Sequence, residues 1–322
     1  MNILGIETSC DETAAAIIQD GTKIISNVVA SSQDLHAKYG GIIPDKAARE
    51  QLKSMLPVIK EAMVADFDAI AVTVGPGLIG SLLIGVETAK ALAFAWNKPL
   101  IPVNHLVGHI YANWLGDSSP EFPALILLVS GGHSELILMT GHGKFRYLGG
   151  TRDDAAGECF DKGARLLNLG YPGGPAISAA AEQFSISNSQ FSIKLPRPMI
   201  NDKSFDFSFS GLKTAVRNLV DPNPQECAFE LQEAITDVLV SKTLKAAEKF
   251  KVKNILLAGG VAANKRLREK MITAAGEKKL PVMIPEFKLC TDNAAYIASA
   301  AFFNYHPVPW QKVDADPSLD IS

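Results

Sequence analysis

His105-Leu106-Val107-Gly108-His109 is the sharpest chemical signal in this sequence. Histidines four apart share one helix face. Two such imidazoles can hold one transition metal if a third ligand arrives from elsewhere. Asp292, in Cys290-Thr291-Asp292-Asn293, is a candidate for that ligand. An Asp at a helix start is also ordinary capping, and spacing alone does not bring it to the histidines. The plainer alternative is two unrelated histidines near a helix start. Leu106 stands where zinc-protease helices carry a Glu after the first His, so a metalloprotease would lack its general base.

Two polar turns offer a second kind of chemistry. Ser130-Gly131-Gly132 follows the apolar run that ends in Leu128-Val129. A turn between strands exposes backbone N–H groups, and glycine lets that backbone approach a phosphate closely. In Glu7-Thr8-Ser9-Cys10-Asp11-Glu12-Thr13 the hydroxyls can donate, while Asp11 and Glu12 can hold a cation or accept a proton. Gly75-Pro76-Gly77 and Gly259-Gly260 each lead into a helix, whose N-terminus favours an anion. Neither is a Walker loop, and neither fits the dinucleotide fingerprint. The stretch from Asp153 to Lys162 gathers acids ahead of an apolar helix. Some of them suit a helix N-terminus, whereas Asp161 lies further in and could bind a ribose hydroxyl. Tyr171-Pro172-Gly173-Gly174-Pro175 reads as a rigid turn that either meets a ligand by its backbone or is only a turn.

The elements that carry these residues repeat a plan. The first half opens with strands at Ile3 to Ile6 and Ala14 to Ile18, separated by the first polar turn. A helix starts at Pro44, which suits a first helical position. Leu52, Met55, Leu56, Ile59 and Met63 recur along it at helical spacing, and Pro57 should kink it. A strand Ala69 to Val74, a helix Leu78 to Trp96, a strand Leu100 to Val103 and the two-histidine helix follow. Gly116 to Glu121 is a polar break. The second half opens in the same way, with strands Ala124 to Val129 and Glu135 to Met139 around Ser130 to Ser134. Helices follow near Gly157 to Leu169 and Gln225 to Phe250, then a strand Asn254 to Leu257, the Gly259-Gly260 turn and a helix. A last helix runs from Thr291 to Phe303, and residues 307–322 read as a loose tail. Such a duplication points to an α/β fold of two lobes with a nucleotide in the cleft between them.

The composition supports a globular enzyme. Of 322 residues, 47 % are hydrophobic and 20 % charged. Lys plus Arg number 31 and Asp plus Glu 34, a net charge of −3, which argues against a strongly basic nucleic-acid coat protein. Met1 to Ile6 lacks a basic flank and a longer apolar core, so no signal peptide is expected. Leu78 to Trp96 is interrupted by Glu87 and Lys90 and reads as a buried helix, with no membrane span. The four cysteines, Cys10, Cys159, Cys227 and Cys290, are scattered, which suits a reducing cytosol and a cytoplasmic protein.

Taken in order, these motifs resemble the tRNA adenosine threonylcarbamoyltransferase family, in its bacterial TsaD type. The resemblance runs from Gly5-Ile6-Glu7-Thr8-Ser9-Cys10-Asp11-Glu12-Thr13 to Thr291-Asp292-Asn293. Between them lie Val74 to Gly77, Asn104-His105 with Gly108-His109, Val129 to His133, Asp153 to Lys162, Gly170 to Pro175, Phe209 to Thr214 and Ala258 to Asn264. It implies a duplicated actin-like fold of the sugar-kinase, ribonuclease H-like superfamily. Residues 1–120, completed by 291–306, would form one lobe and 121–290 the other. The implied reaction moves a threonylcarbamoyl group from threonylcarbamoyl-adenylate to N6 of the adenosine beside the anticodon. The tRNAs are those reading codons that begin with A, and AMP leaves. By resemblance His105, His109 and Asp292 would hold one divalent metal ion, iron (Fe2+) or zinc. Leu128, Val129, Ser130, Gly131, Gly132, Asp161, Gly174 and Asn264 would bind the adenylate. Asp11 or Glu12 is a candidate base by position in the first turn. Implied partners are tRNA, a shorter actin-like paralogue and a P-loop ATPase. The chain departs from the family's pattern at Val107, where a Glu is usual, at Gln51, where a His is usual, and at Ser178, where many members have an acid.

Two other readings compete. A small-molecule kinase of the same fold would hold ATP and would not need the histidines. A non-catalytic scaffold should have lost metal ligands, yet His105, His109 and Asp292 are all present.

Overall fold

The computed structural model describes residues 1–32, 36, 39, 41–116, 119–186, 192–219 and 222–321. Asp117 and Ser118 of the expected polar break, and Ser322 of the expected tail, lie outside the described residues. The chain divides into two compact units. Unit 1 comprises Met1–Pro120, His142–Lys144 and Pro285–Ser322, and unit 2 comprises Glu121–Gly141 and Phe145–Ile284. Unit 2 thus stops short of the expected residue 290, because the segment after Ile284 packs within unit 1.

The strands of unit 1 are β1 (Asn2–Glu7), β2 (Glu12–Gln19), β3 (Lys23–Ser31), β4 (Ala69–Gly75) and β5 (Leu100–Asn104). Those of unit 2 are β6 (Ala124–Val129), β7 (Ser134–Gly141), β8 (Lys144–Gly150), β9 (Asn254–Ala258) and β10 (Val282–Met283). The first three helices are α1 (Pro44–Ala62), α2 (Ile79–Trp96) and α3 (His105–Tyr111). Unit 2 adds α4 (Ala156–Leu166), α5 (Gly173–Ile186), α6 (Ser210–Arg217), α7 (Pro224–Phe250) and α8 (Lys265–Glu277). The short α9 (Phe287–Cys290) and α10 (Ala294–Phe303) return to unit 1.

The two sheets repeat one topology. Their orders are β3-β2-β1-β4-β5 and, read from the matching edge, β8-β7-β6-β9-β10. β1 is antiparallel to β2 and parallel to β4, and β6 is antiparallel to β7 and parallel to β9. The central strands are apolar throughout, since both faces are covered. Leu4, Ile6, Ile17 and Val72 pack with Met55 and Ile59 of α1 and Val86 of α2. Each such burial stabilises by roughly 1.5–3 kcal/mol. On the other face, a Cβ at Gly5 would meet the Ala294 carbonyl oxygen at 2.4 Å. Glycine at that position therefore lets α10 lie directly on β1.

Several expectations need correction. On α1, Leu52 and Leu56 are exposed, and the buried face is Ala47, Gln51, Met55, Val58, Ile59 and Ala62. The row of large apolar residues and the face that reaches the sheet coincide only at Met55 and Ile59. Helix α2 is not buried all round, as the expectation of a buried helix implied. Only one face of it is buried, through Ser81, Leu82, Gly85, Val86, Ala89 and Ala93, while Ile79, Leu83, Phe94 and Trp96 are exposed. Residues 307–321 are not loose. The Val308 amide donates to the Leu100 carbonyl (2.9 Å), the Asp316 amide to that of Val74 (2.7 Å), and Val313 is buried in the core. The backbone of this segment finds partners on β4 and β5, which its Pro and Asp content does not reveal. Strands β3, β8 and β10 and helices α5 and α6 were not anticipated.

Candidate functional site

The metal-ligand candidates converge in unit 1. Asn104 caps α3, its side-chain oxygen accepting from the Leu106 amide (2.8 Å), which starts the helix immediately at His105. His105 and His109 then lie one turn apart on the same helix face, their rings edge to face with centroids 4.6 Å apart. Asn293, not Asp292, caps α10, accepting from the amides of Ala295 and Tyr296. Asp292 is therefore released from the capping role that its position suggested. Its Oδ1 lies 3.2 Å from His109 Nε2 and 3.7 Å from His105 Nε2, and one ligand atom from each residue falls within 4.8 Å of the others. Tyr296, one turn on, donates to the same Oδ1 (3.3 Å).

A second layer orients the first. His105 Nδ1 lies 3.2 Å from Glu7 Oε2 and 3.1 Å from Ser9 Oγ. Glu7 is fully buried and also accepts from the Ser9 amide and the Thr73 hydroxyl. A carboxylate on Nδ1 leaves Nε2 turned to the opposite side, which is how metal-binding histidines are held. Burial alone would lower the His105 pKa, but the Glu7 and Asp292 carboxylates outweigh it and push it up to about 9. Burial opposes ionisation of Asp292 as well, and His105 and His109 overcome this and lower its pKa. Burial keeps the His109 pKa below its ordinary value, and His109 Nδ1 has no hydrogen-bond partner among the described residues. The site thus holds a positive charge beside two carboxylates, a place that a divalent cation fits. Two imidazoles and a carboxylate are a donor set for iron or zinc.

Glu12 is close enough to Asp292 to feel its charge: burial, reinforced by Asp292 and Asp11, pushes the Glu12 carboxyl up. A raised pKa makes a carboxylate easier to protonate.

The adenylate candidates lie in unit 2. Leu128 and Val129 are fully buried in β6, so only their backbone can meet a ligand. Ser130 closes a tight turn with His133, amide to carbonyl at 2.8 Å. A Cβ on Gly131, Gly132 or Gly174 would meet nothing within 4 Å, so these glycines border open space. Gly259, at φ +88°, would drive a Cβ to 2.4 Å from the Val129 carbonyl oxygen, and Gly157 would do the same at 2.5 Å to that of Ser130. The carboxyl ends of β6 and β9 and the start of α4 therefore meet at the Ser130 turn, where open α/β sheets take ligands. The expected rigid turn at Gly173-Gly174-Pro175 is instead the first turn of α5, and Asp161 Oδ1 accepts from the Gly173 amide (2.8 Å). Asn264 caps α8 through the Leu267 amide, and its Nδ2 donates to Ser178 Oγ (3.1 Å) and Gln232 Oε1 (3.0 Å). Sequence reasoning missed Glu7, Ser9, Tyr296 and Gln232. Glu7 sits inside the polar turn already singled out, and its place at the end of a buried strand was the available signal.

Fold and site define an α/β protein of the duplicated actin-like class in which three residues, His105, His109 and Asp292, could hold a metal ion. Archaeal HypF from T. kodakarensis shares the fold at a TM-score of 0.59 and 14 % identity, over 94 % of this chain and 48 % of that one. Component A of (R)-2-hydroxyglutaryl-CoA dehydratase from Acidaminococcus fermentans does so at 0.53 and 15 %, over 94 % and 98 %. A family model for tRNA N6-adenosine threonylcarbamoyltransferase matches residues 23–299. The tRNA N6-adenosine threonylcarbamoyltransferase of Dehalococcoides mccartyi is 51 % identical over the whole of both chains. That of Geobacillus thermodenitrificans is 49 % identical over 99 % of this chain and 95 % of its own. The chain belongs to the tRNA N6-adenosine threonylcarbamoyltransferase family and is a transferase that acts on tRNA.

Proposed function

We propose that this transferase takes its threonylcarbamoyl group from threonylcarbamoyl-adenylate. It delivers the group to N6 of the adenosine beside the anticodon in tRNAs reading codons that begin with A. The observation that carries the reading is the convergence of His105, His109 and Asp292, with Glu7 behind His105. A divalent iron or zinc ion held by the three would stabilise negative charge on the carbonyl or phosphate oxygen. The rest falls to the chain's own groups. In the Ser130 to Gly132 turn, the backbone N–H groups of Gly131 and Gly132 receive the phosphate. Asp161, Gly174 and Asn264 hold the nucleoside, with Ser178 and Gln232 steering the Asn264 amide. The adenine N6 forms a bond to the carbamoyl carbon, the carbon–oxygen bond to phosphate breaks, and AMP leaves with the electron pair. The proton lost by N6 passes to a base, for which Asp11 and Glu12 are the candidates, Asp11 the stronger because burial raises the Glu12 pKa. A shorter actin-like paralogue and a P-loop ATPase complete the assembly.

The test incubates the protein and those partners with threonylcarbamoyl-adenylate and unmodified tRNA, with and without His105→Ala. The modified nucleoside should form with the unmutated protein and be lost in the variant. Absence of product from the unmutated protein would overturn the reading.

A further inference from the structure

Gln51 belongs to the mid-section of α1 and faces the first polar turn. Its side chain is 1 % exposed, and its Nε2 lies 3.0 Å from the Cys10 carbonyl oxygen, 2.9 Å from that of Glu12 and 3.4 Å from that of Thr8. One amide group thus gathers the carbonyls of three alternate residues of the first turn. Its own Oε1 has no hydrogen-bond partner among the described residues. A buried acceptor left unpaired is unfavourable, so local stability alone does not account for an amide here. The donor end is what the site uses.

The turn it grips is the one that orients the metal-ligand cluster. Glu7 and Ser9 both reach His105 Nδ1, and Glu12 ends the turn. From α2, the Ser81 hydroxyl donates to the Cys10 carbonyl (3.0 Å), and the Leu78 amide donates to that of Ser9 (2.7 Å). Gly77 allows this approach, because a Cβ there would meet the Ser9 carbonyl oxygen at 2.5 Å. The turn is therefore held by side chains and backbone of two helices, and Gln51 is its contact from α1.

We infer that Gln51 is a positioning residue for the cluster: it sets the curvature of Thr8 to Glu12, and so the placement of Glu7 and Ser9 on His105. The inference rests on the proposed metal centre. It predicts an effect transmitted through the turn, similar in kind to the loss of an outer-shell partner, which weakens metal affinity about tenfold to hundredfold.

The test measures Zn2+ affinity of the full chain by competition with a chelating indicator, beside the thermal midpoint and the kcat and KM of transfer. Gln51→Met keeps the length and removes the donor, and Gln51→His restores an N–H donor. The expected result is Zn2+ binding weakened about tenfold in Gln51→Met, with kcat lowered more than KM is raised. Gln51→His should recover most of both, at a thermal midpoint close to that of Gln51→Met. Unchanged Zn2+ affinity in Gln51→Met overturns the inference. So does a loss that follows the fall in thermal midpoint in both variants alike, since that is a stability effect. If Gln51→Met does not fold, Gln51→Asn, one methylene shorter, is judged by the same readouts. Failure of the unmutated protein to bind either Zn2+ or Fe2+ would remove the metal centre instead, and failure to transfer with either ion bound and the partner subunits present would remove the proposed substrate.

Discussion

Nε2 of His109 lies 3.2 Å from Oδ1 of Asp292. The two side chains come from α3 and from the residue pair ahead of α10, and nothing in the local sequence of either calls for the other. His109 is buried and Asp292 largely so, and a buried carboxylate needs a cationic or donor partner. Asp292→Ala should weaken Zn2+ binding by more than about a hundredfold, beyond the usual cost of losing an outer-shell group. A chelator-competition titration reads this directly, and an unchanged affinity would remove Asp292 from the cluster.

Glu7→Gln tests the second layer. It keeps the size and takes away the charge that faces His105 Nδ1. Metal affinity should fall about tenfold to hundredfold. In the metal-free protein the His105 pKa should drop from about 9, because the Glu7 carboxylate is a main cause of its elevation. Titration of the His105 ring signals by NMR checks the direction, and a pKa that stays or rises contradicts the assignment.

Both acids of the first turn are candidate bases. Burial raises the Glu12 pKa, so Glu12→Gln should cost less in kcat than loss of Asp11. Asp11→Ala removes the stronger candidate and should cost about 10²–10⁴ in kcat. Transfer assays on Asp11→Ala and Glu12→Ala, made separately, give the broader check. Full activity in both would end the role of this turn in proton transfer.

Glycines of unit 2 separate binding from folding. A side chain at Gly174 meets open space, so Gly174→Val should leave the thermal midpoint nearly unchanged while raising KM for the adenylate. Gly259→Ala is the converse: its φ of +88° and the 2.4 Å approach to Val129 should destabilise by at least about 1–3 kcal/mol. Denaturant melts and KM measured together decide this, and an unaltered KM in Gly174→Val would take Gly174 out of the substrate site.

Asp153 makes a pH-dependent contribution. Its carboxylate accepts from the Ser208 and Ser210 hydroxyls and from the Phe209 and Ser210 amides at the start of α6. Burial opposes its ionisation, but these donors prevail and hold its pKa below the ordinary value. The contribution is therefore full above the unfolded pKa of about 3.9 and is lost as pH falls through the lower folded value. Asp153→Asn should flatten the acid limb of the stability-versus-pH curve. An unchanged limb would show that the shift carries no stability.

The polar turns, the central strands and the two-histidine helix were legible because each rests on local chemistry. Alternating or continuous apolar runs, an Asn ahead of His105 and glycines at strand ends act within a few residues. The exposed Leu52 and Leu56 on α1 were misread because helical spacing shows that a face exists but not which one meets the sheet. Likewise, residues 307–321 contain three Pro and three Asp but gain order from the carbonyls of Leu100 and Val74, supplied by distant strands.

The sequence by itself determined the repeated plan, the residue types of the metal-ligand cluster and the family. The tertiary structure decided that Asp292 is a cluster residue and Asn293 the cap, and that Glu7 stands behind His105. It also decided that Gln51 grips the turn between them. The physical reason is the range of the forces. Capping and periodicity act over one helical turn, whereas a carboxylate finds its imidazole only after a sheet and the helix packed on it through Gly5 have brought them together.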